Sequence, residues 1–270
     1  MNAPAAPVVR LTAVGASAAE AGGRTARVRV SIGGEPVALE ITVPAGPVPL
    51  ADVLPVFQGW TDLVVEMATR QAARAGQGVS CRKGCGACCR QAAPIAMAEA
   101  RALRVLVDGL PAARRARIEG RFQEASARLA AAGLREPFLH PTAEVAARRQ
   151  ELGLAYFRLG IPCPFLEDEC CSIHPQRPLA CREYLVTSPA AYCAQPSGEQ
   201  VRVLPLAGKP SRALMGLEAS AAPGGQGWVA LGLALEGVAE LAEPAPVRPG
   251  TVWVEAFFQA KAGAHPPEVG

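Results

Sequence analysis

The sequence predicts a mainly helical α+β fold with an N-terminal β-hairpin and irregular cysteine-rich segments. Three observations carry that expectation. Apolar residues recur at helical spacing in several stretches between positions 53 and 159. Residues 25–43 alternate apolar and polar side chains around a Gly-Gly pair. Nine cysteines crowd into two parts of the chain where neither period holds.

In the alternating stretch, Val28, Val30 and Ile32 precede Gly33-Gly34, and Val37, Leu39, Ile41 and Val43 follow. Two strands joined by a glycine turn result, because glycine takes the positive φ that a two-residue hairpin loop needs. Residues 44–49 form a Pro/Gly linker. Val53, Phe57, Trp60, Val64 and Met67 then mark one face of a helix that Gly76 and Gly78 end. Beyond the first cysteine run, Leu103, Leu106 and Val107 share a face within 98–107. Pro111 opens a second amphipathic helix carrying Ile118, Phe122, Ala125 and Leu129. A third begins at Thr142, a fitting N-cap, and runs through Val145, Leu152, Tyr156 and Leu159 until Gly160 and Pro162 stop it. Farther on, residues 201–206 read as a strand and 222–227 as a flexible turn, while 228–241 and 251–260 are apolar segments that pack on the domain. The organisation expected is an N-terminal hairpin extension and linker at 1–47, a cysteine-cluster domain at 48–195 and a C-terminal packing segment at 196–270. There is no internal repeat and no sustained heptad.

At 270 residues, half of them hydrophobic, the chain can bury a large core. Its cysteines are therefore not needed as the disulfide staples of very small secreted domains. The net charge of +3 is built almost wholly from arginine, the lysines being Lys83, Lys209 and Lys261. These cations are spread through the candidate helices, with no dense block interleaved with aromatics, so nucleic acid is not an expected partner. Residues 1–21 lack a basic leader, and Arg10 interrupts what would be an apolar signal core. The longest apolar stretch, 228–235, is too short to span a bilayer. A cytoplasmic setting with no membrane partner follows as the expectation, and thiols in a reducing compartment are more often ligands or catalysts than disulfides.

Cys81, Cys85, Cys88 and Cys89 fall within nine positions, separated by Gly84 and Gly86. So many soft thiolate donors in so short a span point to a shared metal ion or cluster, ahead of a redox dithiol or inert packing. As a helix the run would hold its sulfurs in one stripe; as a glycine loop it would wrap the same ion. Cys163, Cys170, Cys171, Cys181 and Cys193 come only after a long cysteine-free stretch, so the tertiary fold must close any site they share. Residues 163–174 read as two short extended pieces around an acidic turn, which sets Cys163 across from Cys170 or Cys171. Cys170 is the spare thiol, because Cys171 fits the downstream spacing better. Arg82, Lys83, Arg90, Arg177 and Arg182 lie near the cysteines and can offset thiolate charge. His174 is the only histidine inside the cysteine-rich region and a secondary candidate, since enough sulfurs are present without it. His140 and His265 carry no signal.

The pattern as a whole is CxxxCxxCC at 81–89, Cys163-Pro-Phe-Leu, Cys171-Ser-Ile-His-Pro-Gln-Arg177-Pro178-Leu-Ala-Cys181-Arg182-Glu-Tyr184, and Cys193. It resembles the bacterial YkgJ-type CxxCxxCC cysteine-cluster family, described as zinc- or iron-chelating domains, over about 79–193. The resemblance implies eight metal-ligating cysteines: Cys81, Cys85, Cys88, Cys89, Cys163, Cys171, Cys181 and Cys193. Cys170 falls outside them. It implies a metal-binding protein with zinc, iron or an iron-sulfur cluster, in an accessory or redox role, partnered by the metal and by a protein substrate or redox protein. Cysteine-only donors favour zinc or iron over magnesium, calcium or manganese without separating the two.

An enzyme is the alternative. Longer relatives, the flagellin lysine N-methylases, are associated with iron-sulfur chemistry and S-adenosylmethionine, which would make this an S-adenosylmethionine-dependent protein-lysine N-methylase-like protein. The chain is short for that group, and no glycine-rich nucleotide loop follows a strand. Cys81-x₃-Cys85-x₂-Cys88 also has the spacing of the radical S-adenosylmethionine motif. Against that reading, Ala87 stands where an aromatic is usual, Gly33-Gly34-Glu35 lies upstream rather than downstream, and the repeated strand-helix pattern of a partial barrel is missing.

Overall fold

The computed structural model describes residues 8–13, 22–195, 200–221, 227–241 and 244–263. It is a mainly helical α+β protein, as expected, opening with a small sheet. Strands β1 (Val8–Thr12), β2 (Gly23–Ile32) and β3 (Glu35–Pro44) lie in the order β1-β3-β2, with β1 parallel and β2 antiparallel to β3. Gly33 and Gly34 make the hairpin turn at φ 56° and 85°, the left-handed conformations expected of this pair. The β3 residues Leu39, Ile41 and Val43 all point inward and are buried.

They meet α1 (Leu54–Arg74), which follows β4 (Pro47–Pro49). Phe57, Trp60 and Val64 lie at the predicted helical spacing and are buried against the sheet. After β5 (Pro94–Ala96) come α2 (Met97–Asp108), α3 (Ala112–Ala131) and α4 (Arg135–Leu139). Ile118, Phe122, Ala125 and Leu129 are buried along α3, so its apolar stripe is the one the sequence marks. The third predicted helix is divided, into α5 (Ala143–Ala147) and α6 (Arg149–Arg158). Thr142 does cap it, accepting the Val145 N–H at 3.3 Å, but Arg148 departs from helical geometry at φ −98° and ψ 15°. That break lets α6 turn Leu152 and Tyr156 into the core while the surface of α5 stays largely exposed.

A tight hairpin of β6 (Leu166–Glu167) and β7 (Cys170–Cys171) precedes α7 (Leu179–Glu183). Then follow α8 (Pro210–Ala221), β8 (Trp228–Ala230), α9 (Ala234–Ala239), β9 (Val247–Pro249) and α10 (Gly250–Gly263). The strand expected at 201–206 is reduced to a single bridge, Val203 against Val186. Pro205 lacks the N–H that a continuing ladder would use. The turn expected at 222–227 lies, except for Gly227, outside the described residues.

Two hydrophobic cores result, and Cys163, Cys171 and Cys181 pack against the second. The first joins the sheet, α1, α8 and α10, with Phe57 stacked on Phe257 at 4.1 Å. The second joins α2, α3, α4, α6 and β8. Leu179 of α7 packs in the first core and Cys181, half a turn on, against the second. No helix among the described residues is long and apolar enough to cross a membrane.

Candidate metal centre

The first cysteine run is neither the helix nor the simple loop of the sequence reading. Gly84 takes φ 84°, the Cys85 N–H returns to the Arg82 carbonyl at 3.1 Å, and residues Ala87–Arg90 form one 3₁₀ turn. All four of its thiols are half-buried. Segments far away in sequence anchor it. The Ser80 N–H donates to the Val186 carbonyl at 2.9 Å, and the Val186 N–H donates back to Cys81 Sγ at 3.4 Å. The Val186 segment is itself held by residues 202–204, through Thr187 N–H to the Arg202 carbonyl and Leu204 N–H to the Leu185 carbonyl.

At the other end, the Cys163 N–H donates to the Cys89 carbonyl at 2.7 Å. The hairpin beyond Cys163 pairs Leu166 with Cys171 and Glu167 with Cys170, so Cys171 and Cys170 face opposite sides. Its turn residues Asp168 and Glu169 both have positive φ, 49° and 55°, unusual for residues other than glycine. Arg90 holds that turn in place. Its guanidinium grips Glu169 through two hydrogen bonds, at 2.6 and 3.0 Å, and also donates to the Gly86 carbonyl at 3.0 Å. Gly86 leaves room for this pair, since a Cβ on it would lie 2.4 Å from Glu169 Oε2 and the glutamate side chain would have to shift.

The thiols influence one another strongly. The Cys89 thiol donates to Cys88, and with help from Arg177 this brings Cys88 down to about 7 against its burial. Cys89, having given its proton to that bond and being buried as well, is held far above the ordinary thiol range. Burial raises Cys81, Cys163, Cys171, Cys181 and Cys193, with Cys163 pushed up to about 12. In every one of these five the negative charge of Cys88 adds to the rise. The charge of Cys88 is therefore felt by thiols from both cysteine-rich parts of the chain. Among the described residues, no three His, Cys, Asp or Glu side chains converge closely enough to form a finished ion site. The sulfurs are gathered without being drawn to one point.

The cations named from the sequence divide by role. Arg177 faces the thiols: its charge lowers Cys81, Cys88 and Cys171, and its buried Nε has no hydrogen-bond partner. The buried hydroxyl of Ser172, beside Cys171, is unpartnered too. Arg182 instead braces the backbone, donating to the Arg177 carbonyl at 2.8 Å, to the Pro175 carbonyl and to Asp62 of α1 at 2.6 Å. Arg82 and Lys83 are exposed. His174 is exposed on a 3₁₀ turn, among the charges of Arg177, Arg182 and Asp62.

Tyr184 and Gln91 were not singled out by the sequence reading, yet they border the site. The Tyr184 hydroxyl accepts from Gln91 Nε2 at 3.2 Å, and after burial its phenol responds to Cys193, Cys88 and Cys81. Its place three residues after Cys181, just past the end of α7, was the available signal. Glu99 of α2 is a second such residue. It is buried, accepts the Leu179 N–H at the start of α7 at 2.7 Å, and acts electrostatically on Cys181.

The donor set fits a thiophilic metal: soft sulfurs, the half-buried Arg177 to balance their charge, and a backbone stitched on both sides of the run. Residues 80–198 match the family model "CxxCxxCC: Putative zinc- or iron-chelating domain". No curated protein and no solved structure matches the chain.

Proposed function

We propose that this protein binds zinc or iron through the thiolates of Cys81, Cys85, Cys88, Cys89, Cys163, Cys171, Cys181 and Cys193, in an accessory or redox role, a reading supported by the match of residues 80–198 to the zinc- or iron-chelating family model. One observation carries the reading: Cys88 of the first run is within electrostatic reach of Cys163, Cys171, Cys181 and Cys193, which lie far along the chain. Inert packing thiols have no reason to gather beside the half-buried side chain of Arg177. Cys170, across the hairpin strand from Cys171, stays outside the set.

The chain's own part is to hold the sulfurs near one another before metal arrives and to neutralise part of their charge with Arg177. Zinc held this way would act as a closed structural node, and an iron-sulfur cluster would supply electron transfer. Because Cys81 and Cys193 flank segments that only the folded chain brings together, metal binding and folding of the cysteine-rich region are coupled.

Anaerobic purification followed by metal analysis and a visible absorption spectrum tests this. Stoichiometric zinc or iron, lost on chelation together with amide-exchange protection in residues 79–195, is the expected result. Full protection without any bound metal would overturn it. A brown protein whose spectrum changes on adding S-adenosylmethionine would move the reading to the methylase-like enzyme.

A further inference from the structure

We propose that the open edge of β2 is a docking site for an extended, acidic segment of a partner protein, which joins the N-terminal sheet as an added strand beside β2. The inference stands apart from the cysteine-rich region and does not depend on its metal.

The strand order β1-β3-β2 gives β2 a neighbour on one side only. Its pairing with β3 runs unbroken from Gly23 opposite Pro44 to Ile32 opposite Glu35, so β2 is a regular strand of ten residues. Such a strand turns the N–H and C=O groups of alternate residues away from its partner. Among the described residues, no backbone bond outside the sheet engages them. Exposed edges are usually guarded by shortness, a bulge or proline. The other edge, β1, has only five residues, whereas β2 is long, unbulged and free of proline.

Side chains alternate along β2 in a way that limits what can join it. On the outer face, Arg27 and Arg29 stand opposite Glu40 and Ala38 of β3, and Arg10 of β1 lies on the far side of Glu40. Glu40 accepts from Arg10 at 3.1 Å and from Arg27 at 2.8 Å. Arg29 has no ion-pair partner among the described residues. On the inner face, Ala26 and Val28 stand opposite the buried Ile41 and Leu39, yet both are exposed, Val28 by 40%. The core therefore stops at β3 along this stretch, and β2 overhangs it.

Charge selects the occupant. A second copy of β2 would bring Arg24, Arg27 and Arg29 of each chain into one ladder with no carboxylate on either strand, and like charges across a ladder are destabilising. A partner strand with carboxylates at every second residue would instead set them beside Arg27 and Arg29 on one face. Its intervening apolar residues would lie beside Ala26 and Val28 on the other. Main-chain bonds along the edge supply affinity in this mode, and the alternating side chains supply selectivity.

Titration of the full chain with a peptide alternating valine and glutamate, matched to the ten residues of β2, tests this by fluorescence anisotropy and amide exchange. Saturable binding below about 1 mM is expected, with exchange slowed at alternate residues of 23–32. A valine-lysine peptide should not bind, and a central proline in the glutamate peptide should weaken it about tenfold by removing a ladder donor. Arg29→Glu, at an exposed position, should also weaken the glutamate peptide about tenfold and let the lysine peptide bind. No binding of the glutamate peptide, equal binding of the two peptides, or protection only outside β2 overturns the proposal. So does a dimer in sedimentation whose interface protects β2 without peptide. Displacement of the peptide by an equal concentration of oligothymidylate would mark the arginine face as a phosphate surface and overturn it as well.

Discussion

The buried carboxylate of Glu183, two residues beyond Cys181, accepts both the backbone N–H of Ser211 and its hydroxyl, the latter at 2.8 Å. This bond is one arc of a closed ring. Glu183 of α7 holds the N-terminus of α8; Glu218 of α8 accepts the Ala98 N–H at the N-terminus of α2; Glu99 of α2 accepts the Leu179 N–H at the N-terminus of α7. Each buried glutamate thus satisfies amide groups that begin the next helix. The helix carrying Cys181 is consequently fixed by elements far outside the cysteine-rich region.

Opening the ring should loosen the metal centre from a distance. Ser211→Ala removes one neutral donor and is expected to cost about 1 kcal/mol, whereas Glu183→Leu strands the amides of α8 and is expected to cost about 3 kcal/mol. Urea unfolding of the metal-loaded protein measures both. An equal effect of the two substitutions would show that Glu183 does not cap α8.

Burial raises the Glu99 carboxyl to about 7 from an ordinary 4.5, despite the two backbone N–H groups it accepts. A carboxyl whose folded value is raised contributes stability that is complete below pH 4.5 and is lost as pH climbs through about 7. One pKa unit corresponds to about 1.4 kcal/mol, so the window holds roughly 3 kcal/mol. The difference in stability between wild type and Glu99→Gln should therefore shift in favour of the variant between pH 4.5 and 7 and be level above it. A difference that is constant from pH 4 to 8 would contradict a buried neutral Glu99.

Gly86→Ala should break the Arg90 clip. The added Cβ would meet Glu169 Oε2 at 2.4 Å and Leu166 Cδ1 at 2.9 Å, so these two side chains on the hairpin bearing Cys171 must shift. Overpacking of this kind costs about 1–3 kcal/mol, and cobalt affinity should fall with it. Gly84→Ala is the comparison, because nothing lies within 4 Å of its Cβ and only the φ of 84° is strained. It should cost about 1–2 kcal/mol through backbone strain alone.

Arg177→Gln should weaken cobalt binding about tenfold, the scale of losses when residues supporting the ligands of a metal site are removed. Arg177→Lys keeps the charge and should recover most of that loss. Arg182→Lys should act differently, lowering thermal stability through its lost carbonyl and Asp62 bonds. Equal loss of affinity in Arg177→Gln and Arg177→Lys would mean that packing, not charge, is what Arg177 supplies.

Much of the local structure was legible in the chain. The apolar spacing of Phe57, Trp60 and Val64, the stripe of α3 and the Gly33-Gly34 turn all depend on neighbours a few residues away, and the structure has them where the periods put them. The break at Arg148 and the shrinking of the 201–206 strand to one bridge were not legible. Both are set by distant packing partners, α6 turning toward the second core and Val203 meeting Val186.

The same boundary runs through the cysteine region. By itself the sequence determined the supply of soft sulfur donors and the need for a fold to unite 81–89 with 163–193, because these follow from residue chemistry and spacing. Only the tertiary structure decided that Arg177 faces the thiols while Arg182 braces α1, and that Cys81 is held by the Val186 segment while Cys163 is held by Cys89. Those choices rest on contacts separated by more than 70 residues, and the free energy that fixes such contacts comes from burying two cores, which no local pattern records.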